Sequence, residues 1–210
     1  MWVKLRIQLM HCFLLLLLCA LPLSAQASTP RLLVLGDSLS AAYQMPEEAG
    51  WVSLLQQQME ASGLDWQVVN ASISGETTSG GLSRLPGLLR QHQPAMVLIE
   101  LGGNDGLRGL PPSLIKNNLS RLIQLSLAED AQVLLAAMRI PPNYGRAYVE
   151  QFEAIYPQLA EEYQVPLIPF ILESIATQPS LMMADGIHPT EAAQPLIRDK
   201  VWLVLDAHLK

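Results

Sequence analysis

Ser38 lies in a stretch, residues 32–40, in which an apolar run meets a glycine, an acid and a serine. The run predicts a buried strand, followed by a tight turn and a helix that begins near Ser38. The serine would then lie at the carboxyl end of a sheet, in the first helical turn, where free N–H groups favour developing negative charge. This position suits a nucleophile. Serine is also a common helix cap, so the stretch alone leaves both interpretations open.

A serine becomes a good nucleophile only when a base removes its proton, and His188 is the best candidate for that base. His92 ends a predicted amphipathic helix and His208 is third from the carboxyl terminus, so solvent exposure explains both. His188 lies in a loop rich in turn residues, three positions after Asp185. A turn between them would let Asp185 hold one imidazole nitrogen while the other faces Ser38. On spacing alone, an ordinary Asp-Gly turn explains the loop at least as well.

Acyl transfer also needs hydrogen-bond donors for the oxyanion, and three candidates follow predicted strands. They are the backbone N–H groups of Ser38 and Gly75 and the side-chain amide of Asn104. Taken singly, Gly75 is explained by a loop that requires a positive φ, and Asn104 by a turn. Their joint occurrence in chain order favours a shared site.

The elements that must position these residues alternate between strand and helix. Strands are predicted at residues 32–35, 66–69, 95–101, 132–138 and 165–168, and helices at 51–62, from after 78 to about 91, at 113–128, at about 148–163 and after Pro189. This alternation predicts an α/β fold with a parallel sheet and helices on both faces. Ligands bind at the carboxyl edge of such sheets, where all the candidate residues can converge.

The first 27 residues carry the pattern of a secretory signal peptide. Lys4 and Arg6 precede an apolar run at residues 12–23, and the small-x-small cleavage pattern follows at residues 25–27. The run is shorter than the roughly 20 apolar residues that a spanning helix needs, and the surroundings of Cys19 lack the small residues of a lipid-anchor site. We therefore expect residues 28–210 to form one exported domain, periplasmic or extracellular, without a membrane anchor or a cysteine.

Several function classes find no support in the sequence. With 13 basic and 19 acidic residues, a net charge of −6, the chain is a poor nucleic-acid binder. An α/β-hydrolase would carry G-x-S-x-G, but Ser40 occupies the last position of that pattern. Beyond the signal segment there is no cysteine and no paired histidines to ligate a metal, and neither a P-loop nor G-x-G-x-x-G is present.

Four blocks of the sequence, taken in order, resemble those of the GDSL or SGNH hydrolase superfamily. The blocks are residues 36–39 (GDSL), Gly75, residues 102–105 (GGND) and residues 185–188 (DGIH). The longer strings at residues 70–75 (NASISG), 100–109 (ELGGNDGLRG) and 185–189 (DGIHP) are similar to the bacterial periplasmic group of multifunctional thioesterases, proteases and lysophospholipases. The resemblance covers nearly all of residues 28–210.

This resemblance implies a flavodoxin-like, three-layer α/β/α sandwich with a five-stranded parallel sheet in the order 2-1-3-4-5. It implies that Ser38 is the nucleophile, His188 the base and Asp185 its orienter. The oxyanion hole would be formed by Ser38, Gly75 and Asn104. The implied reaction is hydrolysis of acyl thioesters, esters and lysophospholipids by a monomer, through an acyl-enzyme and without a cofactor.

The loop directly after Asn104 is expected to bind the substrate, because Leu107 and Leu110 can offer apolar surface to a fatty chain. Together with the reaction that the resemblance implies, this apolar surface makes small-molecule esters and thioesters of medium- and long-chain fatty acids the expected substrates. Two alternatives remain open. One is a carbohydrate O-acetylesterase, which would need a polar sugar cleft, and the other is a periplasmic lipid-binding protein that kept the fold but lost its activity.

Overall fold

A computed structural model describes residues 29–209, so the predicted signal peptide, which contains both cysteines, lies outside the described residues. One five-stranded, all-parallel sheet in the order β2-β1-β3-β4-β5 forms the centre of the fold. The strands are β1 (Arg31–Gly36), β2 (Gln67–Asn70), β3 (Met96–Glu100), β4 (Gln132–Ala136) and β5 (Leu167–Ile168). The α/β fold and the strand order are those predicted.

Helices cover both faces of this sheet. They are α1 (Trp51–Ala61), α2 (Thr78–His92), α3 (Gly103–Leu107), α4 (Pro112–Ala128), α5 (Arg146–Glu153), α6 (Ile155–Tyr163) and α7 (Gln194–Leu205). Short 3-10 helices occur at Glu47–Ala49, Pro142–Tyr144, Pro179–Leu181, Glu191–Ala193 and Asp206–His208. Within residues 29–209, no helix combines the length and hydropathy that crossing a bilayer requires.

The central strands are buried on both faces, as their continuous apolar sequences predict. Every residue of β3 is buried, and β1 is buried after its first residue. These two strands run in register, so that Gly36 pairs with Glu100 at their carboxyl ends. The loops after both strands therefore begin side by side.

The segment after β1 does not form the predicted helix at Ser38. The N–H groups of Ser40 and Ala41 donate to the Asp37 carbonyl at 3.2 and 3.0 Å, which makes one turn, and the next α-helix begins only at Trp51. A continuing helix would need the carbonyls of Leu39 and Ser40. The Trp51 indole donates to the first at 3.0 Å, and the Asn70 amide donates to the second at 2.9 Å. Tertiary hydrogen bonds thus replace the helical ones.

The single helix predicted at about residues 148–163 is two helices, α5 and α6, that meet at Ala154. Pro157 explains the break, because proline has no N–H to donate and its ring clashes with the carbonyl four residues earlier. Proline also shortens β5 to two residues, since Pro166 cannot donate to the sheet.

Candidate active site

The structure brings Ser38, His188 and Asp185 into one hydrogen-bonded chain. Ser38 Oγ is 2.8 Å from His188 Nε2, and Asp185 Oδ2 is 2.7 Å from His188 Nδ1. Because an ionised carboxylate only accepts, Nδ1 is assigned the proton of the neutral ring. Nε2 is then free to accept from the Ser38 hydroxyl.

Asp185 holds both the imidazole and the loop that carries it. Its Oδ1 accepts from the backbone N–H groups of Ile187 and His188 at 2.9 and 3.0 Å, while Oδ2 holds the ring. The His188 N–H, followed by the His188 ring and the Ile187 N–H, lowers the pKa of Asp185 to about 2. The carboxylate therefore stays ionised at neutral pH.

The loop between Asp185 and His188 closes through a turn that requires glycine. Gly186 has a φ of 68°, and its N–H donates to the Met183 carbonyl at 3.0 Å. The Met183 N–H in turn donates to the His188 carbonyl at 2.8 Å. These two backbone hydrogen bonds hold the turn in which the Asp185 side chain reaches the imidazole ring three residues later in the chain.

Ser38 lies in the turn after β1, and Asp37 stabilises that turn. Asp37 is 3% exposed, and its Oδ1 accepts from the Leu39 N–H at 3.0 Å. Asp37, and not Ser38, therefore supplies the side-chain oxygen that accepts a backbone N–H of this turn. The Ser38 hydroxyl is directed to His188 instead. Burial raises the pKa of Asp37 to about 6, against the lowering effect of its hydrogen bond from Leu39.

Beneath the turn, Glu100 at the end of β3 is fully buried. Its Oε2 lies 2.6 Å from Ser40 Oγ and accepts from the Asp37 N–H at 3.3 Å, while Oε1 has no hydrogen-bond partner within the described chain. Burial and then the Asp37 charge raise the pKa of Glu100 well above its usual value, so the neutral acid fits this site. A Cβ at Gly36 would lie 2.6 Å from Oε2, which explains why glycine precedes Asp37.

Two of the three predicted oxyanion donors are unoccupied. Within residues 29–209, the backbone N–H groups of Ser38 and Gly75 donate to no protein acceptor. The Asn104 amide donates to Asp37 Oδ2 at 3.1 Å and to the Glu76 carbonyl at 3.0 Å, which engages both of its N–H bonds. These contacts join Asn104, in the first turn of α3, to Asp37 and to the residue directly after Gly75.

A buried contact also fixes the start of α3 against α2. Asp105, which is fully buried, accepts from the Thr78 N–H at 2.9 Å and from the Thr78 hydroxyl at 2.5 Å. Asn118 on α4 donates to the same hydroxyl at 3.0 Å. Asp105 thereby stabilises the N-terminal end of α2 and holds α3, the short helix that contains Asn104.

A cavity of about 420 Å³ opens beside the hydrogen-bonded chain and is lined in part by Ser38, Asn104 and His188. Most of its other lining residues are apolar, among them Leu107, Met138, Ile140, Phe170, Leu172, Met182 and Ile187. Among the described residues, neither Gly75 nor Leu110 lines this cavity. Leu110 packs against the core, and its carbonyl accepts from the Tyr148 hydroxyl at 2.7 Å. Of the two leucines predicted to bind substrate, only Leu107 faces the cavity.

Asp37 and Glu100 belong to the site but were not predicted from the sequence. A signal for Glu100 was available, because an acid in an otherwise apolar strand must be neutral or paired once that strand is buried. No comparable signal pointed to Asp37, since an acid beside a turn serine is ordinary. Its contact with Asn104 joins residues 67 positions apart. Across residues 29–209, the structure contains no cluster of three or more His, Cys, Asp or Glu side chains suited to a metal ion.

Comparisons with known proteins place this geometry among ester hydrolases. Residues 34–195 match the model of the GDSL-like lipase/acylhydrolase family. An arylesterase of Vibrio mimicus is 53% identical over 186 residues, which cover 89% of this chain and 93% of that protein. Thioesterase 1/protease 1/lysophospholipase L1 of Escherichia coli K12 is 51% identical over 173 residues, or 82% of each chain. The crystal structure of esterase EstA from Pseudoalteromonas, inhibited by monoethylphosphonate, superposes with a TM-score of 0.83 and 45% identity over 85% of this chain and 98% of that one.

Proposed function

This chain belongs to the GDSL-like lipase/acylhydrolase family and is an ester hydrolase of the GDSL type, and we propose that it cleaves fatty acyl esters and thioesters through Ser38, His188 and Asp185. The observation that carries the proposal is the position of the Ser38–His188 hydrogen bond at the wall of an apolar cavity. A nucleophile and its base thus face a space that suits an acyl chain.

The first half-reaction starts at Ser38 Oγ. As Oγ attacks the acyl carbonyl carbon, His188 Nε2 takes the hydroxyl proton, and Asp185 stabilises the imidazolium that forms. Collapse of the tetrahedral intermediate breaks the ester or thioester bond, and His188 returns the proton to the departing alcohol or thiol. Water then attacks the acyl-enzyme carbonyl carbon as His188 Nε2 takes one of its protons. Collapse of this second intermediate breaks the bond to Ser38 Oγ and releases the fatty acid, and His188 returns the proton to Oγ.

The oxyanion would be stabilised by Ser38, Gly75 and Asn104. The N–H groups of Ser38 and Gly75 have no acceptor within the part of the chain that the structure describes, and the amide of Asn104 is held at the cavity wall by Asp37. An arriving oxyanion would share one Asn104 N–H bond as a three-centre interaction. Such fixed donors contribute strongly because they need no reorganisation during the reaction.

The lining of the cavity supports an acyl chain as the bound part of the substrate. Its walls are mostly aliphatic and aromatic side chains, whereas an acetylated sugar would need polar groups there. Each buried methylene contributes about 0.8 kcal/mol, so we expect activity to rise with chain length until the cavity is filled. Thioesters, aryl esters and lysophospholipids of medium and long chain are the substrate class that we propose.

The proposal is tested with Ser38→Ala and His188→Ala, assayed on acyl-CoA, nitrophenyl ester and lysophosphatidylcholine substrates of graded chain length. Each variant should lose kcat about 10⁴-fold or more while remaining folded. His92→Ala, at the end of α2, is the matched histidine control and should stay within about twofold of wild type. A fluorophosphonate should label wild type and His92→Ala but not Ser38→Ala. Turnover near the wild-type level in Ser38→Ala would refute the proposed nucleophile, and equal activity of the two histidine variants would refute the proposed base.

We also propose that residues 1–27 are removed on export, which would leave one domain that begins at Ser28 and acts in the periplasm as a monomer. The support is the charge, apolar and cleavage pattern of the first 27 residues. Intact-mass measurement of the exported protein should give the mass of residues 28–210. A retained leader, or an acyl chain on Cys19, would contradict the proposal.

A further inference from the structure

The ring of Tyr43 is stacked on the imidazole of His188. The two ring centroids are 4.1 Å apart and the ring planes are inclined by 28°. The side chain of His188 is only 15% exposed. Asp185 contacts this imidazole at Nδ1, Ser38 contacts it at Nε2, and Tyr43 covers one face.

The backbone on both sides of Tyr43 is strained. Ala42 and Gln44 have φ angles of 51° and 55°, a left-handed conformation that L-residues adopt at a cost. The other described non-glycine residues with positive φ are Gln93, Asp130 and Gln164. Those three follow the C-terminal ends of α2, α4 and α6, where the left-handed conformation is common. Ala42 and Gln44 end no helix.

This strained turn is also the place where the predicted helix after Ser38 is interrupted. In a regular helix, the side chain of Tyr43 would project from the surface of that helix. The turn instead places the Tyr43 ring against His188, which lies 145 positions later in the chain. Strain that persists beside a reactive group commonly has a functional reason. Here the strained backbone at Ala42 and Gln44 holds the side chain of Tyr43 against His188.

We propose that Tyr43 is a positioning residue for His188, and that the strained turn at residues 42–44 serves to hold its ring in the stack. This inference rests on the proposed role of His188 as the base. The stack restricts rotation of the imidazole, so that Nε2 stays directed at Ser38 Oγ. The face of an aromatic ring also favours the imidazolium that forms during proton transfer.

The ring of Tyr43, and not its hydroxyl, performs this role. The hydroxyl oxygen accepts from Gln44 Nε2 at 3.0 Å, and within the described chain it makes no hydrogen bond to His188 or Ser38. Tyr43→Phe keeps the ring and removes only this surface contact. Tyr43→Leu keeps an apolar side chain and removes the aromatic face. The pair therefore separates stacking from simple filling of space.

The test measures kcat and KM for nitrophenyl butyrate, together with the rate at which a fluorophosphonate labels Ser38. Tyr43→Leu should lower kcat and the labelling rate about three- to tenfold with KM nearly unchanged, the size expected of one aromatic pair. Tyr43→Phe should recover wild-type values within about twofold. Tyr163→Leu, which removes a half-buried tyrosine at the end of α6, is the matched control and should leave kcat unchanged. Equal kcat in wild type and Tyr43→Leu would overturn the inference, as would a loss in Tyr43→Phe as large as in Tyr43→Leu.

Two substitutions at Ala42 test the role of the turn with the tyrosine in place. Ala42→Gly suits a positive φ and should keep full activity. Ala42→Val disfavours that conformation. Its larger side chain would also crowd the backbone of Gly50, which lies so close that a Cβ added at Gly50 would be 2.9 Å from Ala42 Cβ. It should lower kcat to the level of Tyr43→Leu, and the double variant should fall no further. Additive losses in the double variant would contradict the link between the turn and the stack.

NMR of the His188 ring protons reports the stack independently of activity. The ring current of Tyr43 shields them, so their resonances should move in Tyr43→Leu and not in Tyr43→Phe. Unmoved resonances in Tyr43→Leu would overturn the inference. His188→Ala, assayed in parallel, separates the two proposals. If it remains active, the proposed function fails; if it is inactive while Tyr43→Leu equals wild type, only the role of Tyr43 fails.

Discussion

At the scale of single residues, the two oxygens of Asp185 have different roles. Oδ1 accepts two backbone N–H groups and shapes the loop, whereas Oδ2, among the described residues, accepts only the imidazole N–H of His188. The loop and the base are therefore held by one side chain. Because the loop bonds need only one acceptor oxygen, a substitution can separate the two roles.

Asp185→Asn is predicted to keep the loop and to lose most of the activity. If its amide oxygen takes the place of Oδ1, the amide N–H₂ faces His188 Nδ1 and favours the tautomer in which Nε2 carries the proton. That tautomer cannot accept from Ser38, so kcat should fall about 10²- to 10⁴-fold with little change in KM. Steady-state kinetics and a thermal melt check this prediction. A variant within tenfold of wild type would show that the backbone alone orients the ring.

At the scale of elements, the sequence predicted the strands and the edge where the site lies, because burial on both faces leaves a clear apolar pattern. It did not predict the turn after Ser38, because that turn depends on bonds from Trp51 and Asn70 to carbonyls that a helix would otherwise use. The loop from Asp185 to His188 and the position of Asn104 just after β3 agree with the sequence, whereas the short helix α3 that contains Asn104 was not predicted. The buried contact between Asp37 and Asn104 was missed, since nothing local in either segment encodes it.

Leu107, the last residue of α3, and Leu110, in the connection to α4, form a matched pair of leucines. Leu107 lines the cavity, whereas Leu110 packs against the core and lies outside the cavity lining of the described chain. Leu107→Ser should therefore lower kcat/KM for long acyl chains about tenfold more than for butyryl esters. Leu110→Ser should lower the melting temperature and affect all chain lengths alike. The two variants are compared on nitrophenyl esters from C2 to C16.

The reverse pattern, with chain-length selectivity changed by Leu110→Ser and not by Leu107→Ser, would show that the loop rearranges when substrate binds. A uniform small effect of both variants would place the acyl chain elsewhere. In that case the remaining apolar walls of the cavity, at Ile140 and Phe170, become the next residues to substitute.

At the scale of the whole molecule, the buried acids under the site couple folding to pH. Burial raises the pKa of Asp37 to about 6 and that of Glu100 well above its usual value. Between their ordinary and their folded pKa values, the folded state holds protons that the unfolded state has released. The free energy of unfolding must then fall as pH rises, by up to about 1.4 kcal/mol per pH unit for each group.

Asp185 has the opposite effect in a separate pH range. Its pKa is lowered from 3.8 to about 2, so its contribution to stability is complete above about pH 4 and is lost as the pH falls toward 2. The carboxylate is 40% exposed, and solvent screening makes this contribution small. A measurement between pH 4.5 and 7.5 therefore reports the buried acids without interference from Asp185.

Over that range, urea unfolding should show wild-type stability declining with pH, and Glu100→Gln should show a flatter dependence because it cannot ionise. The test is the pH dependence and not the absolute stability of Glu100→Gln. Its new amide N–H₂ would lie at the position of Oε1, which has no partner in the described chain, and an unpartnered buried donor lowers stability at every pH. Asp37→Asn should remove the part of the slope between about pH 4 and 6. Glu129→Gln, an exposed acid at the end of α4, is the matched control and should keep the wild-type slope. A Glu100→Gln slope equal to that of wild type would mean that Glu100 is ionised in the folded protein, and that Ser40 and Asp37 hold a charge beneath the site.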